Sequence, residues 1–355
     1  MSGSSIDEAR RQIDICNACR YCEGFCSVFP SINRNRTFSD GDISQLANLC
    51  HNCRGCYYAC QFIPPHEFAI NIPAVLAEVR QKSWQSCAWP GFLAGWFKGN
   101  ALMTTLLMIL SMVFFIGLIQ AFPPSAGEGF YALLSHNQLV LIFMPAFLLP
   151  LVAIGIGVRN YWRSIGGDKL RWSDLKSALA DTSTMKNLDG GHGDGCNFED
   201  QDRFSNVRRY FHQATMWGFL LCFAATSSAT IMHYLLNMPA PYPLFSVPKL
   251  LGMVGGMMLC VGTLGLAALK LKADRALAAS KQWGSEMTFI LLLFFVSATG
   301  LGLYVAAGSG WVEAWLTVHL ASVLTLFLLM PYSKMVHGFY RLAALCRNAQ
   351  TSSRR

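Results

Sequence analysis

Hydrophobic and polar positions follow two regimes along this chain. Up to about Lys98, apolar residues stand singly or in short groups between charges and cysteines; from Ala101 onward they merge into long, nearly unbroken stretches. Six of these approach the ~20 apolar residues that a membrane-spanning helix needs: 101–121, 139–158, 214–236, 250–269, 287–306 and 315–336. None alternates with period two, so the runs read as helices and not as barrel strands. The pattern predicts an all-α protein in two parts. Residues 1–98 form a polar domain with helices at 40–49 and 74–81, and residues 99–345 form a six-helix transmembrane bundle with an inner loop at 159–212, closing on a tail at 346–355.

Composition sharpens this picture. Only 14% of the 355 residues are charged, against roughly 25% in ordinary soluble domains. Six apolar runs could not be covered by the polar stretches that remain, so the alternative of buried core helices fails. The net charge of +8 has a topological origin. With residues 81–100, 159–212, 270–286 and 334–355 on the side of the N-terminal domain, 27 of the 28 lysines and arginines fall there, and only Lys249 lies opposite. Positive residues favour the inner face. The expectation is a multi-pass protein of the inner (cell) membrane with both termini cytoplasmic and no nucleic-acid partner.

Eight of the thirteen cysteines lie between Cys16 and Cys60. Cys16, Cys19, Cys22 and Cys26 have the spacing C-x2-C-x2-C-x3-C, and Cys50, Cys53, Cys56 and Cys60 repeat it unchanged. This is the spacing with which two-cluster ferredoxins grip iron–sulfur cubes, the fourth cysteine of each run serving the other cluster. Cys16, Cys19, Cys22 and Cys60 are therefore assigned to one [4Fe-4S] cluster, and Cys50, Cys53, Cys56 and Cys26 to a second. A zinc ion closes with four ligands and would leave thiolates over in both runs. The proline that usually follows the fourth cysteine is displaced here to Pro30 and to Pro64 and Pro65. Cys87, Cys196, Cys222, Cys260 and Cys346 show no ligand spacing, and Cys196 with His192 supplies only two ligands.

Two later segments carry a histidine near each end: His212 and His233, then His319 and His337. At ~1.5 Å per residue these pairs are about 31 and 27 Å apart, close to the ~30 Å hydrocarbon thickness. The 18 residues from His319 to His337 make five turns of one helix, so both rings would leave the same face. With helix three running outward and helix six inward, His212 would come level with His337 and His233 with His319. Two b haems, each held by two imidazoles, follow as an expectation; one haem, or simple interfacial histidines, are the alternatives. His136, in an outer loop, is a spare candidate.

No phosphate loop, dinucleotide fingerprint or zinc-protease motif occurs, and the glycine-rich stretch 190–196 neither follows a strand nor opens a helix. Electrons must come from a partner, and the surface loop 189–202 is the expected docking element. The doubled cysteine runs, Pro64-Pro65-His66-Glu67-Phe68-Ala69-Ile70-Asn71-Ile72-Pro73, Gly193-Asp194-Gly195-Cys196, Arg208-Arg209-Tyr210-Phe211-His212, Ala240-Pro241-Tyr242 and Pro331-Tyr332-Ser333-Lys334-Met335-Val336-His337 succeed one another along the chain. In this order they resemble the tricarballylate or citrate utilization protein B family, itself similar to the C-terminal half of a cobalamin-pathway flavohaem protein. The resemblance implies a helical ferredoxin-like domain on a cytochrome b-type anchor. It further implies electrons taken from a cytoplasmic FAD-dependent dehydrogenase, tricarballylate dehydrogenase in the type case, and passed to the quinone pool. The membrane half is also similar to the dihaem subunit of respiratory nitrate reductase in histidine placement, an analogy of fold. The rival classes are a tricarboxylate carrier, which would need polar groups at mid-membrane, and a redox-sensing membrane protein, which would need a separate output partner.

Overall fold

The computed structural model describes residues 4–96, 101–122, 129–190, 193–197, 203–279 and 282–353. The expected boundary near residue 98 lies outside them. Fourteen α-helices are described: α1 (Ser5–Cys19), α2 (Val28–Ile32), α3 (Asp40–Leu49), α4 (Gly55–Tyr58), α5 (Ile72–Cys87), α6 (Gly91–Trp96), α7 (Ala101–Ala121), α8 (His136–Ser164), α9 (Trp172–Thr184), α10 (Val207–Tyr234), α11 (Val247–Lys272), α12 (Trp283–Ala306), α13 (Val312–Leu329) and α14 (His337–Ser352). Among the described residues, extended pairing is confined to an isolated bridge between Cys196 and Ser205.

The N-terminal helices begin where the sequence supplies caps. Ser4 accepts from the Asp7 amide ahead of α1, Ser39 and Asp42 cap each other reciprocally at α3, and Asn71 accepts from the Ala74 amide at α5, with Pro73 in its first turn. Their apolar faces meet around Ile13, Ile32, Ile43, Leu46 and Leu76, and the same core takes in Ala178 of α9 and Ala344, Leu345 and Cys346 of α14.

Six helices, α7, α8 and α10–α13, are long and apolar enough to cross a membrane. Only 11% to 39% of their apolar stretches is buried inside the protein, so the greater part of that surface faces outward, with Val305, for example, 88% exposed. Lipid is the solvent such a surface suits. Contacts between these helices use small residues, as expected where lipid gives no apolar driving force. A Cβ on Gly218 of α10 would stand 2.7 Å from the Leu259 amide nitrogen of α11, and one on Gly256 would press on Leu301 of α12. The Thr325 hydroxyl of α13 meets that of Ser111 of α7 at 3.2 Å.

The sixth apolar run departs from its expected course. It does not continue to residue 336: α13 ends at Leu329 and α14 starts afresh at His337. Pro331 lacks an amide proton, and its ring clashes with the carbonyl four residues back, so the helix stops. The amides of Tyr332 and Ser333 close the end on the Leu329 carbonyl. His319 and His337 thus stand on different helices, and the shared-face argument for them does not hold. The tail expected from residue 346 is helical as far as Ser352. It completes α14, with Cys346 buried, Arg347 paired to Asp168 at 2.8 Å and the Gln350 amide donating to the Lys169 carbonyl. The helices α8, α10, α11 and α12 are longer than their apolar runs because polar turns continue them beyond the lipid-facing length.

Candidate metal centre

The two cysteine runs share one backbone feature. In each, the residue after the second cysteine takes the left-handed conformation, Arg20 at φ 57° and Arg54 at φ 68°. This reversal turns the third cysteine back toward the first two. Cys16, Cys19 and Cys22 are thereby gathered with Cys60, and Cys50, Cys53 and Cys56 with Cys26. All eight are free thiols. Burial, reinforced by the neighbouring sulfurs, pushes Cys16 and Cys22 up to about 12 and Cys26 and Cys56 well above the ordinary thiol value.

Sulfurs in this setting would ionise only beside a compensating positive charge. Beside the first quartet lies a cavity of about 260 Å³ lined by Cys16, Cys19, Cys22, Cys56 and Cys60 and closed by Phe29 and Phe62. Among the described residues no three His, Cys, Asp or Glu side chains converge on a point for a single ion. Thiols ranged around such a volume suit a compact iron–sulfur core. Backbone amides of Asn52 and Phe62 approach the Cys50 and Cys60 sulfurs at 3.3 and 3.4 Å, the kind of hydrogen bond that tunes a cluster.

The second quartet is held by three arginines from three helices: Arg80 and Arg341 lie on helices that share the N-terminal core, and Arg208 lies on a candidate membrane helix. Arg80 of α5 donates to the Cys50 carbonyl at 2.6 Å, and Arg341 of α14 donates to the carbonyls of Asn48 and Cys50 at 3.1 and 2.9 Å. Arg208 of α10 donates to those of Asn52 and His51 at 2.8 and 3.0 Å. The carbonyls at the end of α3 have no partner within the helix and carry its negative pole, which is why cations gather there. A fourth arginine, Arg54, is 1% exposed and donates to the Asp274 carbonyl between α11 and α12.

The loop expected to dock a partner lies partly outside the described residues, His192 and 198–202 included. Its described portion covers the second quartet. Cys196 is buried, hydrogen-bonded to the Leu188 carbonyl at 3.3 Å and to Cys53, and the Asn197 amide donates to the Cys53 carbonyl at 2.8 Å. Sequence spacing gave no hint of this ninth sulfur. His51 was passed over too, although it directly follows Cys50.

His212 and His337 come together below the Cys50 loop, with ring centroids 5.9 Å apart and planes inclined by 69°. The His337 Nδ1 is hydrogen-bonded to the Lys334 carbonyl, which leaves Nε2 available as a ligand. The His212 Nδ1 is buried without a hydrogen-bond partner. His212 and His337 are two imidazoles that this fold brings into contact, and their neutral nitrogens are of the kind that would hold a haem iron. His51 adjoins His212, and burial holds its imidazole neutral.

The other two candidates are not brought into ring contact. His233 stacks on His136 at 4.1 Å, and His136 Nε2 meets the Tyr234 hydroxyl at 2.9 Å. His136 is the first residue of α8 and not part of a loop. His319 bonds through Nδ1 to the Thr299 hydroxyl at 3.1 Å, in space left by Gly300.

Comparison with known proteins shows the family. Residues 99–355 match the family model described as Citrate utilization protein B, and residues 9–86 match that of its Fer4-like domain. The chain belongs to the citrate utilization protein B family. It is 44% identical over 346 residues to Citrate utilization protein B of Escherichia coli, covering 96% of this chain and 91% of that protein. No solved structure matches the chain. As a member of this family the chain joins a Fer4-like helical domain to six candidate membrane helices.

Proposed function

We propose that the chain is a membrane-bound electron carrier, taking electrons from a reduced cytoplasmic flavoprotein dehydrogenase and delivering them to the quinone pool in support of citrate or tricarballylate utilization. The observation that carries this reading is the juxtaposition of two interleaved cysteine quartets with the His212–His337 pair, joined through Arg208 and Arg341. Cys16, Cys19, Cys22 and Cys60 hold one [4Fe-4S] cluster, Cys50, Cys53, Cys56 and Cys26 the second, and His212 with His337 a haem b. When bound, these groups supply one-electron acceptors and donors, which a two-electron flavin and a quinone need between them. The protein's own residues hold the thiolates, exclude water with Phe29 and Phe62, and orient the imidazoles.

The excess of basic residues on one side supports a cytoplasmic N-terminal domain and termini, and there a soluble dehydrogenase would reach the first quartet, whose Cys19 is exposed. The test is chemical and kinetic. Oxygen-free protein should contain about eight non-haem irons and as many acid-labile sulfides per chain, as two four-iron clusters require. Membranes bearing the chain should reduce quinone when given the reduced flavoprotein, and membranes lacking it should not. Material without acid-labile sulfide, or equal quinone reduction by both membranes, refutes the proposal.

A further inference from the structure

A second cavity, of about 60 Å³, opens where the N-terminal domain meets the membrane helices. At ~10–15 Å³ per water-sized sphere it holds roughly four to six waters, about the bulk of one six-membered ring. Its wall is two-sided. Trp84, Phe289, Leu292 and Leu329 form an apolar part, and Glu286 and Lys334 form a charged one. Glu286 is paired with Lys270 at 2.6 Å and with Lys334 at 2.7 Å.

The cavity sits at a defined depth. Thr104 lines it from the first turn of α7, Ser285 and Glu286 from the first turn of α12, and Leu329 from the last residue of α13. This is the level at which the apolar spans begin and end. Close by in the chain, α6 exposes Phe92 and Trp96, each by 69%, as an interfacial anchor does.

Two connections lead from the cavity to the candidate redox residues. The Trp84 indole donates to the Asn48 side-chain oxygen at 2.8 Å, two residues before Cys50, and the Lys334 carbonyl is bonded to the His337 ring. A cavity with aromatic and aliphatic walls, a hydrogen-bonding end and the depth of the lipid boundary matches a flat, neutral, ring-shaped ligand with polar oxygens and a lipid-soluble tail. A lipid phosphate is disfavoured, because the Glu286 carboxylate faces the cavity and offsets the lysine charge.

We propose that this cavity seats the headgroup of the quinone, which rests on the electron-carrier reading above. Reduction of one quinone consumes two electrons, both originating on the reduced flavin of the partner dehydrogenase, and two protons, one on each ring oxygen. No bond between heavy atoms forms or breaks. The two protons come from water on the N-terminal-domain side, which reaches the polar end of the cavity at the partly exposed Lys334 side chain.

The experiment uses the full-length, cluster-loaded protein in lipid nanodiscs, reduced photochemically and mixed with decylubiquinone, with ferricyanide as an acceptor that needs no site. Thr104→Trp and Ser285→Phe each fill the cavity from a different helix. The expected result is at least a tenfold rise in the half-saturating quinone concentration in both, with unchanged ferricyanide rates and cluster EPR spectra. Unchanged half-saturation in both variants, with wild-type protein still reoxidised by quinone, overturns the cavity assignment and leaves the carrier reading standing. Failure of wild-type protein to be reoxidised by quinone removes the carrier reading, and the cavity assignment with it. If either variant loses its EPR spectrum, photolabelling of wild-type protein with an azidoquinone decides. Label on 283–292 or 329–336 supports the assignment. Label confined elsewhere, or displaced by anionic phospholipid and not by quinone, overturns it.

Discussion

Replacing Arg341 with methionine tests whether the arginine latch ties the second cysteine quartet to α14. Arg341 makes two charge-assisted hydrogen bonds, to the carbonyls of Asn48 and Cys50. The Cys50 carbonyl keeps Arg80 at 2.6 Å, so the principal loss is the Asn48 carbonyl. A hydrogen bond to a charged group contributes about 1.5–3 kcal/mol, and an orphaned buried acceptor costs about 1–3 kcal/mol. Burial and the nearby Arg80 hold Arg341 down to about 9, which shows that like-charge repulsion offsets part of the gain. A net cost of about 2–3 kcal/mol follows, or about 30- to 150-fold in the local opening equilibrium at 1.4 kcal/mol per tenfold. Hydrogen exchange read by mass spectrometry on residues 47–53 should accelerate by that factor in R341M and by less in R341K, which keeps the charge and loses the fork. Exchange in α11 should not change. Wild-type exchange at 47–53 in R341M would refute the latch and the energetic reasoning behind it.

Three further outcomes follow from the same geometry. Cys60→Ala and Cys26→Ala should each lower iron from about eight to about four per chain, and because the runs interleave, Cys60→Ala should remove the same one of two EPR signals as Cys16→Ala, and Cys26→Ala the same one as Cys50→Ala; loss in Cys60→Ala of the signal that Cys50→Ala removes would show that each run serves its own cluster. His337→Ala and His212→Ala should abolish the reduced b-type absorption band, while His319→Ala and His136→Ala should retain it, and a band that survives in H337A excludes the His212–His337 site. Gly218→Ala places a methyl group against the α11 backbone and should cost about 1–3 kcal/mol through overpacking, seen as lower thermal stability in detergent than that of Gly117→Ala, whose Cβ meets nothing within 4 Å.

Much of this architecture was legible because it rests on local rules. Lipid demands length and apolarity in every span, so six helices could be read directly, and a doubled C-x2-C-x2-C-x3-C spacing is itself a geometric statement. Helix ends were less legible where tertiary structure overrides composition: polar turns extend α8 and α10 past their apolar stretches, and Pro331 ends a run that hydropathy alone carries onward. The convergence of Arg80, Arg208 and Arg341 on one short loop could not be read at all, since the residues lie on α5, α10 and α14 and nothing local marks them. Cys196 stayed hidden for a similar reason. It reaches Cys53 from 143 positions away through a loop whose course depends on the fold, as the two residue numbers show.

The turn at Pro331 has a consequence for biogenesis. Because α14 returns to share a core with α1, α3 and α5, the soluble half is assembled from both extremities of the polypeptide. A ribosome still translating α13 has already released every cysteine of the two runs, yet Arg341 and the apolar face of α14 have not been made. The bonds from Arg341 to the Asn48 and Cys50 carbonyls can therefore form only after all six apolar helices have been synthesised.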